Sequence, residues 1–288
     1  MGTFAKYLGQ MMRKSMESES SNILRTIRAN KIENSLSKKL DTTLEKGHDM
    51  KVFGLGTIAS MASVERYSRF TTAMFHVYSE METQLDECVR VSREGEAVSA
   101  SAKVWMEHGS VLRRAARLQA DLADVSEPMP QIDRLRMTPA VANYVSSIQE
   151  SGVRDREDHG GRLLGHLYCR YFADLFGGSV LKAPYNLALG LQQDTPRHYD
   201  FEFPADSPKR KEFINRVYSS INSAGEDLSS EACAAIVNEA SRAFACNVAV
   251  YSEEPLWADS IRGTSKLAIG ALIAAPRWLG GITASRHA

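Results

Sequence analysis

Residues 165–181 read GHLYCRYFADLFGGSVL. Apolar residues on either side continue a helical pattern, so the stretch reads as one helix with Gly177 and Gly178 at its centre. Each interior glycine costs about 1 kcal/mol relative to alanine, so a pair needs a reason. Glycine lets a helix bend and lets its backbone approach a ligand to van der Waals contact. Asp174 lies three residues before Gly177, on nearly the same helical face. Two arrangements satisfy this pattern. In one, a bent helix presses on something flat with a carboxylate at its edge. In the other, the glycines mark tight helix–helix packing and Asp174 faces solvent.

Outward from this stretch the periodicity stays helical. Ile32, Leu36, Leu40 and Leu44 step by four, and Tyr67, Phe70, Met74, Val77, Tyr78, Met81 and Leu85 mark one face of a long helix opened by Ser63 as N-cap. Thr138-Pro139 and Ser207-Pro208 each read as an N-cap with proline at the first helical position. No segment alternates with period two, no Asn-Gly or Asp-Gly hairpin turn occurs, and no fixed-length repeat is present. The pattern predicts an all-α domain over residues 31–255, an N-terminal extension over 1–30 and a C-terminal tail over 256–288. Facing helices in such a bundle can hold a flat ligand between them.

Composition narrows the function. Of 288 residues, 43% are hydrophobic and 24% charged, with 35 basic against 35 acidic side chains. A core of that size supports a folded domain, and a balanced charge argues against nucleic acid as a partner. Cys88, Cys169, Cys233 and Cys246 show no metal-ligand spacing and read as buried free thiols in a reducing, intracellular compartment. Phe4, Tyr7, Leu8, Met11 and Met12 form an apolar stripe flanked by Lys6, Arg13 and Lys14. Such a segment reads as an organelle targeting peptide (mitochondrion or plastid), a helix on a membrane surface, or an extra docked helix. The apolar run 267–275 is too short to span a bilayer and reads as a docking or interfacial element.

A family pattern chooses between the two arrangements of the glycine-rich helix. Tyr168-Cys169-Arg170-Tyr171-Phe172-Ala173-Asp174-Leu175-Phe176-Gly177-Gly178, continuing to Leu181, closely resembles the distal-helix signature of heme oxygenases, Y-x-R-Y-L-G-D-L-S-G-G-x-x-L. Phe75–Glu82, Thr138-Pro139-Ala140 with Tyr144-Val145, Phe201-x-Phe203-Pro204, Ile221-Asn222-Ser223 and Glu239-Ala240 through Phe244 and Asn247 resemble further family segments, so the likeness covers roughly residues 34 to 255.

The resemblance implies a heme-oxygenase-like helical bundle with a kinked distal helix. It implies heme as both prosthetic group and substrate, dioxygen, and an external electron donor such as a reductase or ferredoxin. The products would be biliverdin, carbon monoxide and ferrous iron. Asp174 would deliver protons through ordered water, with Arg170, Tyr78 and Asn247 supporting the water network. Gly177 and Gly178 would give close approach to the ring, and Phe244 would line the apolar pocket.

Several positions depart from the family pattern. Ala173 stands where the first distal glycine is usual. Leu36-Ser37-Lys38-Lys39-Leu40 is followed by His48 at the family spacing for the proximal iron ligand, whereas counting back from Tyr78 without a gap reaches Glu45. Imidazole is the right donor for heme iron, which favours His48. Ile214 and Tyr218 occupy the positions of the basic residues that pair with heme propionates, leaving Lys211 or Arg216 as substitutes from a neighbouring turn. His76 and His166 read as core or surface residues. Two functions follow: oxidative heme cleavage, or a heme-oxygenase fold used without turnover as a heme carrier, sensor or assembly subunit. A third, thiamin-degrading chemistry on a related bundle, needs a nucleophilic cysteine, and Cys169 in an apolar helix suits it poorly.

Overall fold

A computed structural model describes residues 33–47, 50–95, 97–125, 133, 136–177, 181–192, 194–204 and 207–284. Among these residues there are eleven α-helices and no strand. In chain order they are α1 (Leu36–Gly47), α2 (Met50–Ser60), α3 (Val64–Glu94), α4 (Ala100–Leu112), α5 (Ala115–Asp124), α6 (Pro139–Asp158), α7 (Arg162–Gly177), α8 (Lys182–Leu189), α9 (Pro208–Glu226), α10 (Ser230–Ser252) and α11 (Leu256–Ala284).

The predicted caps are in place. The side chains of Ser63, Thr138 and Ser207 accept hydrogen bonds from the backbone N–H groups of Arg66, Val141 and Arg210, and each satisfies one donor that its helix leaves open. The apolar faces close one main core, in which Met74, Val77, Tyr78, Met81 and Leu85 of α3 meet Leu164, Leu167 and Phe172 of α7 and Ile236 and Ala240 of α10.

Three packing relations position the site. The first is the approach of α7 to α10, closest at Gly165, where a Cβ atom would lie 2.6 Å from the Ala240 nitrogen and 2.8 Å from the Ile236 carbonyl oxygen. In the second, α1 lies on α9 and α10, and the Ser37 N–H donates to Asn222 Oδ1 at 2.9 Å. The third is the long helix α3, which runs beside α6 and touches α7.

α7 ends at Gly177 and α8 begins at Lys182, with Gly178 outside the described residues. The buried Arg210 guanidinium holds the last turn of α7: its Nε donates to the Leu175 carbonyl at 3.0 Å and its Nη2 to the Asp174 carbonyl at 3.3 Å. Each carbonyl thereby gains a charged donor from a distant helix. The apolar run of the tail belongs to the 29-residue helix α11, which packs on α2 and α8. No helix among the described residues is long and apolar enough to cross a membrane. The N-terminal stripe of Phe4, Tyr7, Leu8, Met11 and Met12 lies outside the described residues.

Candidate functional site

Arg170 and Asp174 are four residues apart on α7 and therefore share a face. That face meets Tyr78 of α3 and Asn247 of α10. The Tyr78 hydroxyl donates to Asp174 Oδ2, and both residues are buried. The Arg170 guanidinium lies over the Tyr78 ring at 5.2 Å, and its Nη1 donates to Asn247 Oδ1 at 3.0 Å. Asn247 Nδ2 donates in turn to the Tyr144 hydroxyl at 3.1 Å and to the Ala243 carbonyl at 3.0 Å. Residues from α3, α6, α7 and α10 thus form one buried polar chain, and the four predicted members Tyr78, Arg170, Asp174 and Asn247 stand together in it.

Burial pushes the Tyr78 phenol well above its usual pKa, with the Asp174 carboxylate adding to the rise. The hydroxyl therefore stays a donor at any working pH. Arg170 Nε is buried and has no hydrogen-bond partner among the described residues. An orphaned buried donor is costly unless a water or ligand group satisfies it. It sits in the residue that links Tyr78 to Asn247.

Beside this chain stands an apolar wall. Phe244 is buried, with its ring centroid 5.0 Å from that of Phe53, and Phe53 lies 5.2 Å from Tyr251. Phe244 was expected here from the family pattern. Phe53 was not, because nothing in the apolar sequence of α2 marks one residue over its neighbours, whereas Tyr251 lies on the apolar pattern of α10 with Phe244. Ala173 is exposed although Asp174 beside it is buried, so the added methyl meets open space instead of a crowded contact within the protein.

Other residues of the quoted motifs hold the frame. Glu82 accepts the backbone N–H groups of Arg114 and Ala115 at 2.6 and 2.9 Å, capping the start of α5. Arg210 holds the end of α7, and the sequence hid it as an ordinary basic residue in the first turn of a helix. The detectable signal was its place three residues after the Ser207 cap, which fixes its side chain near the chain end of α7.

The opposite side of α7 is aromatic. Phe172 stacks on Tyr168 with centroids 4.8 Å apart and meets Tyr218 edge-on at 4.7 Å. The Tyr218 hydroxyl lies 3.1 Å from the Tyr168 hydroxyl and donates to Asp41 Oδ1 of α1 at 3.1 Å. Burial, then the Asp41 carboxylate, raises the Tyr218 phenol well above its usual pKa. Ile214 is fully buried. The expected substitute Arg216 pairs with Glu212 at 3.0 Å on the exposed side of α9. This corrects the idea that Arg216 supplies the missing charge. Lys211 is half-buried and no contact ties it to this edge.

Glu45 falls in α1, which ends at Gly47, and His48 lies outside the described residues. Among the described residues no group of three or more His, Cys, Asp or Glu side chains could hold a metal ion. His166 is buried, with Nε2 3.0 Å from Glu239 Oε1 and 3.3 Å from Ser151 Oγ, and His76 is half-buried next to Phe75. All four cysteines are free and buried. Burial pushes the Cys169 thiol up to about 12, which removes it as a nucleophile.

The family model described as heme oxygenase matches residues 34–253. Heme oxygenase 1 of Pongo abelii is 28% identical over 219 residues, covering 75% of this chain and 68% of that protein. Heme oxygenase 1 of a Nostoc species is 26% identical over 235 residues, covering 81% of this chain and 86% of its own. Among solved structures, heme oxygenase 2 of Chlamydomonas reinhardtii without heme superposes with a TM-score of 0.62 at 19% identity, covering 77% of this chain and 99% of that one. Heme oxygenase-1 of Synechocystis in complex with heme gives 0.59 at 22% identity, covering 83% and 99%.

Proposed function

Because the chain belongs to the heme oxygenase family, we propose that it binds heme between α1 and α7 and cleaves it oxidatively to biliverdin, carbon monoxide and ferrous iron. The observation that carries this reading is the buried chain Tyr78–Asp174 and Arg170–Asn247–Tyr144. A bundle needs no such chain for stability, since each buried polar group must be matched by another. Placed on the helix that carries the distal signature, it suits the handling of protons in a water-poor site.

The residues fit heme on this side. The orphaned Nε of Arg170 calls for a hydrogen-bonding group, and exposed Ala173 leaves the surface of α7 open to a flat ring. His48 is the ligand we assign to the iron, on the chemistry of its imidazole. When bound, heme supplies the iron that activates dioxygen with electrons from an external reductase or ferredoxin. The protein supplies orientation and protons. Tyr78 holds Asp174 Oδ2, so the carboxylate presents its other oxygen to ordered water and passes a proton from it. Arg170 braces Tyr78 from above its ring, and Asn247 fixes Arg170. Phe244, Phe53 and Tyr251 exclude bulk water from the same region.

Titration of the full chain with hemin, read at the Soret band, followed by reductant and oxygen, tests the proposal. An imidazole-ligated spectrum that His48→Ala removes, and biliverdin that Asp174→Ala abolishes, are the expected results. Glu45→Ala should leave the ligation intact.

A second reading is favoured by one observation, the hydrogen-bonded set Asp41–Tyr218–Tyr168 with Phe172 against it. Here the carboxylates of heme would meet a carboxylate and two phenols in place of cations. The protein would then be a heme-oxygenase fold that carries or senses heme without turnover. Hemin binding through His48 with no biliverdin under any reductant selects this reading.

A further inference from the structure

Helix α11 is built into the body of the protein, yet it leaves one side apolar and bare. Its inner side is fixed at four points. Asp259 pairs with Arg66 Nε at 3.2 Å, and the Ser260 hydroxyl donates to the Leu55 carbonyl at 3.0 Å. At Gly263 and Gly270 a Cβ atom would lie 2.0 Å from the Ile58 carbonyl oxygen and 1.9 Å from the Leu187 carbonyl oxygen. Only glycine allows those crossings with α2 and α8, so the rotation of α11 about its axis is set.

The outer side follows from that rotation. Trp257, Ile261, Ile269, Leu272 and Ile273 are between 54% and 74% exposed. At 3.6 residues per turn, Trp257, Ile261 and Leu272 fall on one row, and Arg262, Lys266, Ile269 and Ile273 on the row beside it. The result is an apolar stripe about 25 Å long with a cationic flank. Asp259 is the one acidic residue between positions 256 and 284; its Oδ2 pairs inward with Arg66 and its Oδ1 lies 3.1 Å from Arg262 Nη1, so its single charge is shared between two guanidinium groups.

We propose that α11 is an in-plane docking face for an anionic lipid surface, with Trp257, Ile261, Ile269, Leu272 and Ile273 entering the headgroup–acyl boundary and Arg262 and Lys266 facing the lipid charge. Apolar side chains on one face with cations at its margin, and tryptophan at the rim, are the pattern of an interfacial helix. A membrane-spanning role does not fit, because the inner side of α11 is committed to α2 and α8. A second copy of the chain fits less well, since a two-fold pairing of this face would bring the Arg262 and Lys266 flanks of both copies together. An acidic leaflet answers the stripe and the flank at once.

Flotation of the full-length protein with phosphatidylcholine vesicles, with and without phosphatidylserine, tests this. The wild-type chain should float with the mixed vesicles and remain behind with the neutral ones. Both Ile261→Asn/Ile273→Asn and Arg262→Gln/Lys266→Gln should lower the bound-to-free ratio about ten-fold or more, and added salt should reproduce the second loss. All four positions are exposed or on the rim, and a thermal melt matching wild type shows that the fold is intact. Leu272→Ser supplies a second apolar variant if the first melts early. Equal binding to both vesicle types, binding untouched by the apolar variants, or no binding overturns the proposal. So does a concentration-dependent dimer, seen by sedimentation, that the isoleucine variants abolish.

Discussion

The two sides of α7 carry opposite chemistries. Toward α3 and α10 stand Arg170 and Asp174, tied to Tyr78 and Asn247 in a buried polar chain that matches the distal signature. Toward α9 and α1 stand Tyr168 and Phe172, packed on Tyr218 and through it on Asp41. In our reading the first side handles protons and the second meets the carboxylate edge of the ligand. One helix holds both, yet their partners come from different elements. If the proposed function holds, proton handling and recognition of the ligand's acidic edge would be separable in this fold.

The largest effect should come from the polar side. Asp174→Ala should lower the rate of biliverdin formation by about 10²–10⁴-fold, the usual contribution of a positioned general acid, with hemin affinity unchanged. Single-turnover absorbance measurements would check both, and a variant as fast as wild type would remove Asp174 from the relay.

Next in size is the brace under α7. Arg210→Met leaves the Asp174 and Leu175 carbonyls without their donor in the core. A loss of about 3 kcal/mol in folding free energy is expected from chemical denaturation. A change much smaller than that would mean that the two carbonyls find other donors.

The aromatic side can be pushed toward the chemistry it lacks. Tyr218→Arg should tighten hemin binding about ten-fold or more, because each charge-assisted hydrogen bond contributes about 1.5–3 kcal/mol. Hemin dimethyl ester, without carboxylates, should bind wild type and variant alike. If the variant gains nothing with hemin, the Asp41–Tyr218 edge does not face the propionates.

The smallest effect concerns a third contact of α7, one turn before Arg170, where the His166 ring lies 5.7 Å from that of Tyr144. Burial works against the Glu239 charge, but His166, Ser151 and Arg242 together outweigh it and hold the carboxyl below its usual pKa. A depressed carboxylate pKa gives stability that is present above the usual carboxylate range and is lost as pH falls through the lowered value. Glu239→Gln should therefore cost about 1 kcal/mol at neutral pH, and the gap to wild type should close in acid. Thermal melts across that range would show it, and a gap that widens in acid would reverse the assignment.

Much of this molecule was legible in the chain. The helices, the caps at Ser63, Thr138 and Ser207, and the shared face of Arg170 and Asp174 rest on contacts within a few residues. Backbone geometry sets those contacts wherever the segment lies. The distal signature added Tyr78 and Asn247, which no local spacing connects to α7. A close approach of α7 to α10 falls at Gly165, a glycine whose spacing gives it no mark in the sequence.

What no local pattern held is the pairing of distant groups. Arg210 reads as a surface residue near a helix start, until folding sets it against carbonyls 35 and 36 positions away. Asp41 and Tyr218 are 177 positions apart, and each alone is an ordinary helical residue. The sequence marks 256–288 only as an apolar tail, and it is the contacts of Gly263 and Gly270 that fix which side of α11 turns inward. The physical reason is the same in all three. Hydrophobic burial is non-directional and says that a face must be covered, whereas hydrogen bonds and close backbone contacts say by what, and these require the partner to be in place.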